Sequence, residues 1–245
     1  MIGSEYARAA PHDRNNLLDR LSQPSTLGIH YRQIMRREQQ LLAGRLGIEG
    51  GDVLSVGCGW YPGRHLFPAP HFRLVAVDSN PECVEEIVKT GRADEAHVGY
   101  AGRLGMPSAS FDVVLYRLVL HHIAYQGPLA PCFAEAADLL RPGGAMVAVE
   151  PGLWHPVGIG LALANRTGAA TAIHGTPDDI PLSPRQLLLQ ARAVGLVAEL
   201  HAVTFSWRRL PPSVQRWLAP LDALGSRPRL APFGHTLMLI ARKER

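Results

Sequence analysis

A strand-like run, Val53-Leu54-Ser55-Val56, opens directly into Gly57-Cys58-Gly59-Trp60-Tyr61-Pro62-Gly63. Glycines at such a point let the chain turn sharply and let a ligand approach the backbone with no Cβ in the way. About twenty residues further on, Asp78 ends a second run, Leu74-Val75-Ala76-Val77. An acid so placed can accept hydrogen bonds from both hydroxyls of a ribose. The alternative is a turn in which Asp78 caps Ser79-Asn80-Pro81. The dinucleotide fingerprint needs Gly or Ala at its sixth position; Pro62 stands there and speaks against a dehydrogenase. His121 and His122 follow a third apolar run, Phe111 to Tyr116. An imidazole titrates near neutral pH and can take a proton from a reacting group.

The elements that must position these residues alternate. Ile34, Leu41, Leu42 and Leu46 recur at helical steps within a helix expected from Ile29 to Leu46, which Gly47 and Gly50-Gly51 stop. Strands are expected at 53–56, 74–77, 96–98, 111–116 and 145–150. Between them lie helices at 81–89 and 129–140, the second closed by Arg141-Pro142-Gly143-Gly144. The stretch 64–72 is short for a crossover helix and is broken by Pro68 and Pro70. Near-continuous apolar strands alternating with helices predict an α/β fold with a mainly parallel sheet covered on both faces. After Glu150 the rhythm breaks into a Gly-, Pro- and His-rich stretch to Pro184. A helix at 184–194 and two more strands, 196–205 and 234–241, follow.

The chain has 245 residues, 47% hydrophobic and 19% charged, enough for one sizeable core. The expected organisation is a single domain over 1–245. It comprises a helical arm or lid at 1–45, a ligand-binding core at 50–150, and acceptor-binding insertions with the last strands at 151–245. The net charge is +4, but the arginines are scattered and read as a solvated surface, not a phosphate-binding stripe. Cys58, Cys83 and Cys132 are far apart and show no metal-ligand spacing, so reduced thiols in a cytoplasmic protein are expected. No signal peptide is evident at the N-terminus. The longest apolar stretch, Val157 to Ala164, is too short to span a bilayer.

Four landmarks fall in order and spacing: Val53 to Gly59; Val75-Ala76-Val77-Asp78; Phe111-Asp112-Val113-Val114 leading to Leu120-His121-His122-Ile123; and Leu139-Leu140-Arg141-Pro142-Gly143-Gly144. With them residues 50–150 resemble the class I S-adenosylmethionine (SAM)-dependent methyltransferases, especially the UbiE-like small-molecule enzymes. The resemblance implies a Rossmann-like sheet of seven strands, six parallel and one antiparallel at the C-terminus, with SAM as cofactor. It places Gly57, Cys58, Gly59 and Gly63 against the methionine and ribose, Asp78 on the ribose, and Ser79-Asn80 beside the adenine. Arg117 is assigned to the cofactor site as well. The family's acid after strand three is replaced by Tyr100-Ala101, so main-chain groups near Ala101 and Gly102 are expected to meet the adenine instead. Ser55 stands where many members have an acid, and Tyr61-Pro62-Gly63 lengthens the glycine loop.

Methyl transfer from a sulfonium is an in-line displacement, for which positioning supplies most of the acceleration. A base helps where the acceptor is a hydroxyl. His121 and His122 are both candidates for the base, with His121 favoured and at least one of the pair expected to be structural; His155 and His174 are next in line. His30-Tyr31-Arg32 can cover the cofactor, or form a solvated helix face. The expected function is methylation of a small molecule, at a hydroxyl of a secondary metabolite or glycoside in natural product biosynthesis. The partners expected are the acceptor alone, with no nucleic acid, membrane or metal, in a monomer or homodimer. The alternatives are N- or C-methylation, a nucleic-acid methyltransferase, and a non-catalytic SAM-fold binding protein. Tyr116-Arg117-Leu118-Val119, where amino-group nucleic-acid enzymes carry Asn/Asp-Pro-Pro-Tyr, argues against the second.

Overall fold

The computed structural model describes residues 26–165 and 180–245. Helix α1 (Thr26–Arg45) leads into β1 (Gly51–Val56), β2 (Phe72–Asp78), α2 (Pro81–Thr90), β3 (Glu95–Val98) and β4 (Phe111–Arg117). Then come α3 (Leu120–Gln126), α4 (Ala130–Leu139), β5 (Leu140–Pro151), α5 (Pro156–Asn165) and α6 (Pro184–Ala193). The chain closes with β6 (Val197–Thr204), α7 (Pro212–Leu218), two short 3-10 turns and β7 (Thr236–Arg242).

The strands form one seven-stranded sheet in the order β3-β2-β1-β4-β5-β7-β6. β7 runs antiparallel to both of its neighbours, and the other strands run parallel to one another. Alternate residues feed two cores. One face takes Leu54, Val56, Val77, Val114, Tyr116 and Met146 against Phe133 of α4 and Leu187 of α6. The other takes Val53, Leu74, Val113, Leu115 and Val147 against Leu41 and Leu42 of α1 and Ile87 of α2. The central strands are therefore buried on both sides, which explains their continuous apolar runs. The sheet order reverses beside β1, between β2 and β4, so the crevice at the carboxyl ends of β1, β2 and β4 is where a ligand belongs.

His121 and His122 lie on the short helix α3. Two elements depart from the sequence reading. α5 forms inside the Gly- and Pro-rich stretch: Gly158 lets the helix press onto the carbonyls of Gly152 and Leu153, where a Cβ would come within 2.2 Å and 2.9 Å. β5 starts five residues early and carries the Pro142-Gly143-Gly144 turn as an irregularity, pairing Phe111 with Leu140 and then Val113 with Ala145. Asp112 and Glu150, the acids at the two ends of the central strands, lie at opposite edges. Asp112 begins β4, where Arg141 bonds it at 2.6 Å, and Glu150 lies at the carboxyl end of β5. The residues before 26 and His174 lie outside the described residues.

Candidate active site

The turn out of β1 is pinned from two sides. The amide of Gly57 donates to the Val77 carbonyl at 2.7 Å, and that of Gly59 to the Asp78 carboxylate at 2.7 Å. Both glycines have left-handed φ, 62° and 53°. A Cβ on Gly57 would meet the Val119 side chain at 2.3 Å, whereas a Cβ on Gly59 would enter open space. Gly57 is thus required for packing β1 against the β4–α3 turn, and Gly59 for whatever fills that space. Gly59→Ala is expected to fold with a penalty of about 1 kcal/mol for the left-handed backbone, yet to lose most of its SAM affinity. Thermal melting and calorimetric titration of that one variant separate the two effects.

Asp78 joins this loop to the next. Its second oxygen accepts the Asn80 amide at 2.9 Å, and only 9% of the residue is exposed. A carboxylate offers about four acceptor positions, so two remain for ribose hydroxyls. Ser79 is exposed beside it. The Asn80 side chain caps α2 by accepting the Glu82 amide at 3.0 Å, the turn-capping role that the sequence left open for this segment. The Cys58 thiol is half-buried, and burial, with the Asp78 charge next to it, pushes its pKa up, so it is no nucleophile. Gly63 lies inside against Leu115 and serves packing.

The loop after β3 is held by a residue the sequence reading did not single out. Glu135 of α4 accepts the amides of Gly102, at 2.7 Å, and Leu104. The Gly102 amide, expected from the sequence to meet the adenine, is thereby occupied.

Arg117 was expected to hold the cofactor. The structure instead pairs it with Glu38 of α1, at 3.1 Å, with the two side chains 8% and 1% exposed. His65 reaches the same carboxylate at 3.1 Å. Burial raises the pKa of Glu38, but Arg117 and the His65 bond outweigh it and hold the pKa below the ordinary carboxylate value. This knot fastens α1 across the carboxyl edge of β4. Glu38→Gln keeps the shape and removes the charge, and should lower the unfolding free energy by about 1–3 kcal/mol in a denaturant titration.

The start of α1 packs on the segment around α7. His30 is buried against Gln215, and the Tyr31 hydroxyl accepts from Arg208 at 3.1 Å. Burial lowers the His30 pKa to about 4. The unfolded chain, with an ordinary value near 6.5, therefore binds more protons between pH 6.5 and 4. Stability is full above that window and lost as pH falls through it. His155 and His201 shift in the same direction, again through burial. The His30 contribution is on the order of 2–3 kcal/mol, so His30→Gln should flatten the loss of denaturant midpoint between pH 7 and pH 4.5.

At the next strand end Glu150, fully buried, accepts the amides of Val119 at 3.0 Å, Leu120 at 2.8 Å and His121 at 3.4 Å, and meets His121 Nδ1 at 2.6 Å. A carboxylate that accepts three N–H groups can only accept from the imidazole too. Nδ1 therefore carries the proton, and Nε2 is the basic nitrogen of His121. The turn itself is strained: Leu118 adopts φ 57°, a conformation that a bulky side chain rarely takes. His121 is 3% exposed; His122 is half-buried and lies 4.0 Å from it, ring centre to ring centre. His155, one of the reserve bases, uses both nitrogens, accepting from the Val157 amide at 3.2 Å and facing the Phe205 carbonyl at 3.2 Å. Among the described residues no three His, Cys, Asp or Glu side chains converge to hold a metal.

Residues 54–148 match the family described as Methyltransferase domain. A probable SAM-dependent methyltransferase of Mycolicibacterium smegmatis is 33% identical over 103 residues, covering 42% of this chain and 38% of that protein. A protein encoded in a transposon of Streptomyces fradiae is 34% identical over 110 residues, covering 42% of this chain and 30% of that protein. The chain spans about a third of the length of these relatives. A SAM-dependent methyltransferase of Thermotoga maritima superposes with a TM-score of 0.61 at 15% identity, covering 88% of this chain and 92% of that one. Residues 54–148 thus resemble a methyltransferase domain, and the seven-stranded sheet around them has the Rossmann-like fold of the Thermotoga maritima structure.

Proposed function

We propose that the chain binds SAM across Gly57–Gly59 and Asp78 and methylates a hydroxyl of a small molecule, in the manner of the UbiE-like enzymes, with His121 as base. SAM supplies an electrophilic methyl on a sulfonium. The residues fit such a ligand: an open space at Gly59 where no side chain intrudes, and a nearly buried carboxylate with acceptor positions to spare. Asp78 orients the ribose, and the loop held by Glu135 lies alongside the adenine. The Glu38–Arg117–His65 knot keeps α1 over the same edge and excludes water.

The observation that carries the reading is the Glu150–His121 pair. A base held in one tautomer by a buried acid is the arrangement that proton removal from a hydroxyl needs. Nε2 would take the acceptor hydroxyl's proton and Glu150 would stabilise the imidazolium that results, while bound SAM would supply the methyl and leave as S-adenosylhomocysteine. Calorimetric titration with SAM and S-adenosylhomocysteine tests the first half. Mass spectrometry of small-molecule extracts incubated with methyl-labelled SAM tests the second. Binding without any labelled product would favour a non-catalytic role for the fold, and label on nitrogen or carbon would remove the need for a base.

A further inference from the structure

Beyond the methyl-transfer site, the outer side of α6 carries an apolar groove of about 410 Å³. Trp154, Leu189 and Pro232 line it together with Arg185 and Arg192, and among the described residues no acidic side chain lines its walls. Phe233 adjoins it, its ring 6.1 Å from that of Trp154. Trp154, Leu189 and Phe233 are 37%, 52% and 49% exposed, unusually open for side chains of that size. α5 begins two residues after Trp154, holds no charged side chain, and exposes Ile159 and Leu163 one turn apart.

Charge is distributed to match. Residues 180–233 hold seven arginines and two acids, a net +5, more than the +4 of the whole chain. Both acids are engaged: Glu199 by Arg242 and Arg45, and Asp222 by the Phe205 amide. Read in sequence these arginines were a solvated surface; two of them flank an open apolar groove.

We propose that this face docks on a membrane surface rich in anionic lipid. Aliphatic and aromatic side chains ringed by arginine suit the boundary between acyl chains and acidic headgroups. A second copy of the chain suits it less, because a two-fold contact would set arginine against arginine with no acid between them. A nucleic acid would meet Leu188, Leu189 and Pro232 in the groove, which cannot stack on bases. Crossing the membrane is not implied: among the described residues no helix is long and apolar enough to do so. Trp154 lies four residues beyond Glu150, so docking would bring the carboxyl edge of the sheet close to the lipid.

Co-sedimentation with vesicles tests this. The full chain should partition onto phosphatidylcholine vesicles containing phosphatidylglycerol, should not do so onto phosphatidylcholine alone, and should be released by high salt. Arg185→Ala with Arg192→Ala should lower the partition coefficient roughly tenfold or more, at about a few-fold per arginine near an anionic surface. Leu189→Asp should lower it as well, and an unchanged melting temperature in each variant shows that the fold persists. No partition, equal partition onto both vesicle types, or partition indifferent to these substitutions overturns the proposal. So does a dimer in size-exclusion chromatography that the same substitutions dissolve. SAM titration of each variant keeps the readouts separate: loss of vesicle binding with SAM affinity intact concerns this face alone.

Discussion

Replacing Asp78 by alanine is expected to weaken SAM and S-adenosylhomocysteine binding by on the order of 10²–10⁴-fold. Each ribose hydroxyl bonded to a carboxylate contributes about 1.5–3 kcal/mol, and two are lost together. A second effect adds to the first. The amides of Gly59 and Asn80, which Asp78 bonds at 2.7 Å and 2.9 Å, would lose their acceptor, so the glycine turn would no longer be held against the end of β2. Asp78→Asn separates the two effects. It retains one carbonyl oxygen for one backbone amide but turns its NH₂ towards the other and removes the charge, so it should stay folded with a smaller loss of melting temperature than Asp78→Ala while binding cofactor at least tenfold more weakly. Calorimetric titration of both variants, with circular dichroism to establish folding, is the measurement. An Asp78→Ala protein that is folded and binds SAM as the parent does would remove the ribose assignment.

The landmarks at residues 53–59, 75–78, 111–114 and 139–144 were legible because each is local. A buried parallel strand writes a continuous apolar run, and the turn after it needs glycine or a polar cap. The residues that fasten the loops to one another were harder to read. Glu135 is an ordinary acid on a helix until the loop after β3 folds over it. Glu38 left a trace: it falls four residues after Ile34 and three before Leu41, on the apolar stripe of α1, where an unpaired carboxylate could not stay. Its partners, Arg117 and His65, are 79 and 27 residues away, and no local pattern announces such a pair. α5 was missed because Gly158 and Gly160 lower helix propensity, and only the close approach to Gly152 and Leu153 explains why Gly158 is there.

His121→Ala should lower turnover by roughly 10²-fold or more while leaving SAM affinity nearly intact, because the base acts only as the proton leaves. Sequence alone could not say which of two adjacent histidines an acid would hold, because Glu150 lies 29 residues beyond His121. The structure gives the buried acid to His121, with His122 half-buried beside it, so His122→Ala is expected to act mainly on folding or cofactor placement and less on turnover. Glu150 serves two ends and should show both. Glu150→Ala would leave the amides of Val119, Leu120 and His121 without their acceptor in a closed environment, at about 1–3 kcal/mol each, and should unfold or loosen the β4–α3 turn. Glu150→Gln keeps an oxygen for the amides of Val119 and Leu120, but its NH₂ stands where the His121 amide was accepted and can meet Nδ1 only if the imidazole turns to the other tautomer. Nε2 then carries the proton and cannot accept one. That variant should fold, bind SAM and fall in turnover by a factor close to that of His121→Ala, and the double variant should be little slower than either single one. Turnover that multiplies down across the two substitutions would mean that Glu150 acts only through the backbone. Near-normal turnover in both His121→Ala and His122→Ala would point to an acceptor atom that has no proton to lose.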